Sequence, residues 1–226
     1  MQFTHLPPLA ASVFTLLATV SLLLSFVMLG SRWISSYLYA FAAESLLIAC
    51  LSAAVGFYGG FPELYLIAIL TAIFRGCILP YLIWQIVRST RINRELHVML
   101  QPSTALVLGA FAVVFALLVA VRTGTEIGLT QTIVIMALTV MLSMKLIGFL
   151  MLAVRYEAIS QILGLLVLEN GIFLGSQILV PGMPLLLEMV ILFDLLVVVA
   201  CFGVLVRYLV RHVGTTNTLQ MRKLVG

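Results

Sequence analysis

Charge is what this sequence has least of. Asp, Glu, Lys and Arg make up 9% of its 226 residues, while 63% are apolar. A soluble domain carries roughly a quarter charged residues to keep its surface wetted, so that class is excluded. Histidine is scarce too: His5, His97 and His212 fall at the edges of the apolar runs. No imidazole stands inside a run to ligate an intramembrane haem, which argues against a b-type cytochrome. Cys50, Cys77 and Cys201 are isolated, without the paired spacing of a metal or redox site, and read as small buried hydrophobes. The net charge of +4 has no folded basic surface behind it, so a nucleic-acid partner is not expected.

What is present is long apolar runs. Several exceed twenty residues with one charge or none, enough to cross a hydrocarbon core about 30 Å thick. Hydropathy predicts about seven transmembrane helices, at 9–30, 37–57, 63–87, 103–121, 128–153, 158–179 and 184–208. The runs lack the alternation of a membrane β-barrel, so helices must satisfy the backbone and the fold class is all-α, polytopic. Lys and Arg collect on the cytoplasmic side of membrane proteins. Arg32, Arg88, Arg91, Arg94, Arg155, Arg207, Arg211, Arg222 and Lys223 all fall in alternate loops or the C-terminal tail, and Arg122 alone lies opposite. The expected orientation is N-terminus outside and C-terminus cytoplasmic. No basic residue precedes Arg32, so the first helix does not read as a cleavable signal peptide.

A parallel duplication fits this topology. A shift of 119 residues superposes Pro62 on Pro181, Arg75 on Asp194 and Arg88 on Arg207, and a shift of 125 superposes Glu44 on Glu169. The difference falls in an outer loop, where length changes are tolerated. The expected organisation is a first three-helix repeat over 1–101, a connecting helix over 102–126, a second repeat over 127–212 and a cytoplasmic tail over 213–226. Repeats related by an axis along the membrane normal are one way transport proteins are built.

Five ionisable residues lie deep inside these runs: Glu44, Arg75, Lys145, Glu169 and Asp194. At ~1.5 Å per residue from the basic ends, they sit about 15–21 Å deep, near one plane and on five helices. Left unpaired, each costs roughly 2.5–3.5 kcal/mol, or on the order of 12–17 kcal/mol together. That rivals a typical domain's whole stability of ~5–15 kcal/mol. They must therefore pair, be protonated, or face water or a partner subunit. One reading is a proton relay in which the carboxyls exchange protons sideways and Arg75 and Lys145 tune them. The other is a set of structural ion pairs. Arg75, which stays charged, suits a fixed electrostatic partner better than a carrier. Pro80, one turn later, removes the bond to the carbonyl of Gly76 and predicts a polar kink. Gly171 and Gly175 predict close helix packing.

Gln161-Ile-Leu-Gly164, the run Leu168-Glu169-Asn170-Gly171, and a following helix bearing Asp194 resemble the E component of hydrogenase-4. The likeness continues into Gly214-Thr-Thr-Asn217-Thr-Leu219 and Leu224-Val-Gly226. The C-terminal half is also similar to the K subunit of complex I and the C subunit of Mrp antiporters, three-helix proteins with one carboxylate on each of the second and third helices. By this resemblance Glu169 and Asp194 take those two positions, with Asp194 where Glu is usual. Arg75 replaces the second carboxylate in the first half, so the resemblance places proton transfer in the second. It implies a non-catalytic membrane-arm subunit of a complex-I-like NiFe hydrogenase or formate hydrogenlyase, in a bacterial or archaeal cytoplasmic membrane. No cofactor is expected in this chain; Ni-Fe and Fe-S centres would lie in partner subunits. The partners implied are antiporter-like and quinone-site-like membrane subunits and a soluble hydrogenase module. A passive assembly subunit and a stand-alone cation or proton transporter are the alternatives.

Overall fold

A computed structural model describes residues 8–89, 100–128, 131–155 and 158–179, and beyond them residues 200, 203, 204 and 208. The helices are α1 (Pro8–Gly30), α2 (Ile34–Gly59), α3 (Glu63–Thr71), a π-helical segment (Ala72–Ile78), α4 (Leu79–Ser89), α5 (Pro102–Ile127), α6 (Thr132–Val154) and α7 (Ala158–Leu179). Among the described residues, five helical spans are long and apolar enough to cross a membrane, the α3–π–α4 rod counting as one. The described helices follow six of the expected spans. The seventh span, the tail from 213, Cys201 and Asp194 lie outside the described residues, while Cys50 and Cys77, expected to be buried, are exposed on the outside of the helix bundle.

Short corners alternate between two faces. Gly60 and Gly128 take left-handed conformations, φ 72° and 74°, after α2 and α5, the usual glycine stop of a helix. They mark what is called here the Gly60 face. The opposite, Arg32 face holds the α1–α2 and α6–α7 corners. Arg155 ties these two corners together: it is buried, donates from Nη2 to the carbonyls of Met28 at 2.9 Å and Ser31 at 3.4 Å, and lies 5.4 Å from the Tyr37 ring centroid. A cation at the C-terminus of α1 is favourable. A residue that reads from sequence as a rim charge is thus also a helix cap.

α2 is the central helix, packed on α1, on the α3–π–α4 rod and on α7; α6 packs along α7 and α5 and also meets α1. The contacts between α2 and α7 run in parallel register. Ser45 meets Asn170 and Ser52 meets Gln177, each pair separated by 125 residues, the offset that superposes Glu44 on Glu169.

The α6–α7 seam is made by backbone meeting backbone. A Cβ added at Gly148 would stand 2.8 Å from Leu168 Cβ and N, and one at Gly164 3.1 Å from the Gly148 carbonyl oxygen. Gly171 and Gly175 abut Met144 and Met141 in the same way. Only glycine permits that approach.

The apolar core is divided in two. One cluster, toward the Arg32 face, gathers Met28, Tyr37, Phe41, Ile83, Met151 and Leu163 with their neighbours. The other, toward the Gly60 face, gathers Phe14, Ile48, Leu51, Ile67, Met144 and Phe173 with theirs. Between them lies a layer of buried polar groups that includes Ser21, Ser25, Glu44, Ser45, Arg75 and Asn170.

The seam yields a first prediction. Gly148→Ala gains up to ~1 kcal/mol of helix propensity but overpacks the seam at a cost of ~1–3 kcal/mol. The net result should be a lower midpoint in thermal unfolding of the detergent-solubilised protein. Gly30→Ala, whose Cβ meets nothing nearer than 3.5 Å, should leave the midpoint unchanged.

Candidate functional site

The site begins with a disturbance in one helix. Pro80 has no N–H to give to the Gly76 carbonyl, and an α-helical ladder fails there. The chain responds one turn earlier with the π-helical segment, closed by the Leu79 N–H donating to the Phe74 carbonyl. The sequence predicts a kink at this point; the structure has a wider turn, and Arg75 is at its centre. Such π segments recur at functional sites. Gly76 lets the segment approach α2, since a Cβ there would stand 3.1 Å from Leu46 Cδ2. Together these place the guanidinium of Arg75, fully buried, between α2 and α7.

Arg75 Nη1 donates to Asn170 Oδ1 at 2.9 Å. Asn170 Nδ2 donates to Glu44 Oε2 at 2.9 Å and lies 3.5 Å from Ser45 Oγ. Ser25 Oγ donates to the other carboxylate oxygen, Glu44 Oε1, at 2.6 Å. Arg75 also pairs with Glu169, Nη2 to Oε2 at 3.8 Å, and its Cζ lies 4.8 Å from the centroid of the Phe173 ring. One chain of contacts therefore runs Ser25–Glu44–Asn170–Arg75–Glu169 across α1, α2, α7 and the π segment.

Three of the five predicted residues come together here: Glu44, Arg75 and Glu169. Asp194 lies outside the described residues. Lys145 is half-buried on α6 and stands apart from this chain of contacts. The acid and base pair across the two halves of the sequence, because Arg75 reaches Asn170 and Glu169 on α7. Glu44 is fully buried, while the Glu169 side chain keeps 20% exposure.

Sequence reasoning missed Ser25, Ser45 and Asn170 as parts of the site. Asn170 was visible beside Glu169, and the 125-residue offset places it opposite Ser45. An amide carries no charge to flag it.

The arrangement has a specific chemical capacity. Ser25 has one hydroxyl proton and two acceptors in range, Glu44 Oε1 at 2.6 Å and the Ser21 carbonyl at 3.2 Å. With Glu44 ionised, Ser25 donates to the carboxylate. With Glu44 protonated, the carboxyl can donate to Ser25 Oγ while the serine turns its proton to Ser21. Both states keep their hydrogen bonds, so neither incurs the penalty of a stranded buried group. Arg75 is held one amide away from Glu44, so its charge acts on the carboxyl without a direct ion pair locking it ionised.

Among the described residues, five spans long and apolar enough to cross a membrane, around a buried charged layer, decide the class. The chain is a multi-pass, all-helical membrane protein. No group of three or more His, Cys, Asp or Glu side chains suited to a metal occurs among the described residues. No family model and no solved structure matches the chain significantly. It is similar to "Uncharacterized protein Rv0085" of Mycobacterium tuberculosis (strain ATCC 25618 / H37Rv), with 28% identity over 151 residues, 66% of this chain and 67% of the relative.

Asn170→Leu removes both the donor to Glu44 Oε2 and the acceptor of Arg75 Nη1 and should cost about 3 kcal/mol or more. Ser25→Ala strands Glu44 Oε1 alone and should cost less, about 1–2 kcal/mol. Thermal unfolding in mild detergent reads both, and equal effects would contradict the central role of the amide.

Proposed function

We propose that this chain is a non-catalytic membrane-arm subunit of a complex-I-like, membrane-bound NiFe hydrogenase or formate hydrogenlyase, in which its midplane ionisable residues contribute to proton translocation. The observation that carries the proton-transfer reading is Glu44: a fully buried carboxyl whose hydrogen bonds can be satisfied with or without its proton. That is what a carrier needs and a structural ion pair does not. The assignment to the hydrogenase complex rests on the resemblance of the Gln161–Gly171 region to hydrogenase-4 component E.

In this reading Arg75 is a fixed charge that sets the proton affinities of Glu44 and Glu169 from either side. Asn170 relays its influence to Glu44. The partners in this reading are antiporter-like and quinone-site-like membrane subunits, with Lys145 and Asp194 as further candidate relay groups. Electrons pass through Ni-Fe and Fe-S centres in the soluble module. The Arg32 face is cytoplasmic and the Gly60 face is outside.

A passive assembly role is the second reading, favoured by the Arg75–Glu169 pair joining the π segment to α7. The two readings diverge in mutants. As a relay subunit, the Glu44→Gln, Glu169→Gln and Asp194→Asn variants should assemble and keep electron transfer in the soluble module while proton translocation into vesicles falls severalfold. Unchanged translocation in all three would overturn the relay. Lost assembly in the double variant Glu44→Gln/Glu169→Gln, with normal translocation in whatever enzyme assembles, would establish the passive role.

A further inference from the structure

Several hydroxyls in these helices bond a carbonyl one turn earlier in their own helix: Thr15 to Ala11 at 2.8 Å, Ser52 to Ile48 at 3.0 Å, Thr139 to Ile135 at 2.7 Å and Ser143 to Thr139 at 2.6 Å. This is the cheapest way to satisfy a hydroxyl in an apolar setting. Two buried hydroxyls have neither this bond nor any other. Ser21 Oγ and Thr71 Oγ1 are buried without a hydrogen-bond partner among the described residues, although Leu17 and Ile67 offer carbonyls one turn away. Gln177 Oε1 is likewise buried and unpartnered, while its amide nitrogen donates to Ser52 Oγ at 2.5 Å.

These groups share a side of the site. α1 and α3 run from the Gly60 face toward the Arg32 face, so Ser21 and Thr71 stand one turn, about 6 Å, above Ser25 and Arg75. α2 and α7 run the other way, and Ser52 and Gln177 stand roughly 11–12 Å above Glu44 and Asn170. All four rise toward the Gly60 face, and Gln177 is in the last turn of α7. Toward the Arg32 face the buried polar groups are engaged: Tyr37 donates to the Leu163 carbonyl at 2.5 Å, and Arg155 donates to the carbonyls of Met28 and Ser31.

An unpartnered buried polar atom costs on the order of 1–3 kcal/mol. Three on one side of a titratable centre, threaded through an otherwise apolar cluster, call for a common ligand that both donates and accepts. Water meets that requirement, since a buried water makes about three hydrogen bonds to such groups. We propose that Ser21, Thr71, Ser52 and Gln177 hold a one-sided file of ordered water that connects the Glu44–Arg75 centre to the Gly60 face. Its role as a proton path rests on the relay reading of Glu44; its existence rests on the three unpartnered atoms of Ser21, Thr71 and Gln177, with Ser52 held against Gln177. Protons then enter or leave Glu44 through Ser25 from one membrane face, and the apolar cluster on the Arg32 side insulates the centre from the other.

The test is thiol accessibility in native membrane vesicles carrying the assembled complex. Cys50, Cys77 and Cys201 are first replaced by alanine, and Ser21→Cys, Thr71→Cys or Ser52→Cys is introduced singly, each nearly isosteric. The probe is a membrane-impermeant cationic methanethiosulfonate added to vesicles of either orientation. Leu51→Cys, in the dry cluster beside Ser52, is the control. A thiol in dry packing exposes about tenfold less thiolate, or worse, than a wetted one. The file predicts labelling of all three cysteines at least tenfold faster than Leu51→Cys, from the Gly60 face only. Labelling no faster than the control, or from the Arg32 face, overturns it. If one variant fails to assemble, the other two carry the result. Fast labelling with unchanged translocation in Glu44→Gln keeps the file and rejects Glu44 as its proton carrier. Slow labelling with impaired Glu44→Gln keeps the relay and rejects the file.

Discussion

The structure turns on one neutral side chain. The amide of Asn170 takes a hydrogen bond from Arg75 and gives one to Glu44, and so decides how two buried charges coexist. Direct contact would make them an ion pair, with the carboxylate held ionised. Complete separation would leave two charges in hydrocarbon, each costing several kcal/mol. The amide avoids both outcomes because its oxygen and nitrogen ends differ. It also orders itself, since the reversed orientation would set Nδ2 against a guanidinium.

The backbone around it is arranged to permit this bridge. Gly148, Gly164, Gly171 and Gly175 let α7 lie against α6 at backbone contact. Gly76 does the same where the π segment meets α2. The loss of an N–H at Pro80 is absorbed by the π turn, which carries Arg75. The π turn departs from an ideal helix and the glycines do not, but both let the helices that carry Arg75, Glu44 and Asn170 approach one another.

Two apolar clusters close this centre above and below, so the charges act at low dielectric, where a single charge is felt strongly across one amide. The clusters are not equivalent. The one toward the Gly60 face is interrupted by hydroxyl and amide groups, and the other is held shut by Tyr37 on Leu163 and by Arg155 capping α1. Vertical asymmetry of this kind is what separates a proton site with one access from a leak.

Much of this was legible in the amino-acid order. Membrane embedding and helix class follow from apolar length alone, because a hydrocarbon core about 30 Å thick demands some twenty apolar residues and internally bonded backbone; the limits do not, and α5 runs to Ile127 where hydropathy ends it at 121. Glu44, Arg75 and Glu169 were legible only as members of a set of five with Lys145 and Asp194, because charge is expensive in that medium and depth along a helix can be counted; which of the five meet was not. Side-to-side relations were not legible. Hydropathy says how deep a residue lies but not which way it faces, so Ser25 and Asn170 were indistinguishable from ordinary polar residues of a helix. Arg75 could be placed near Pro80, but a missing hydrogen bond is compatible with a kink or a π turn, and packing against α2 chose the turn. The sequence by itself determined that buried charges must be satisfied; the tertiary structure decided that an amide would do it, because only packed helices bring residues 126 apart, Glu44 and Asn170, within 2.9 Å.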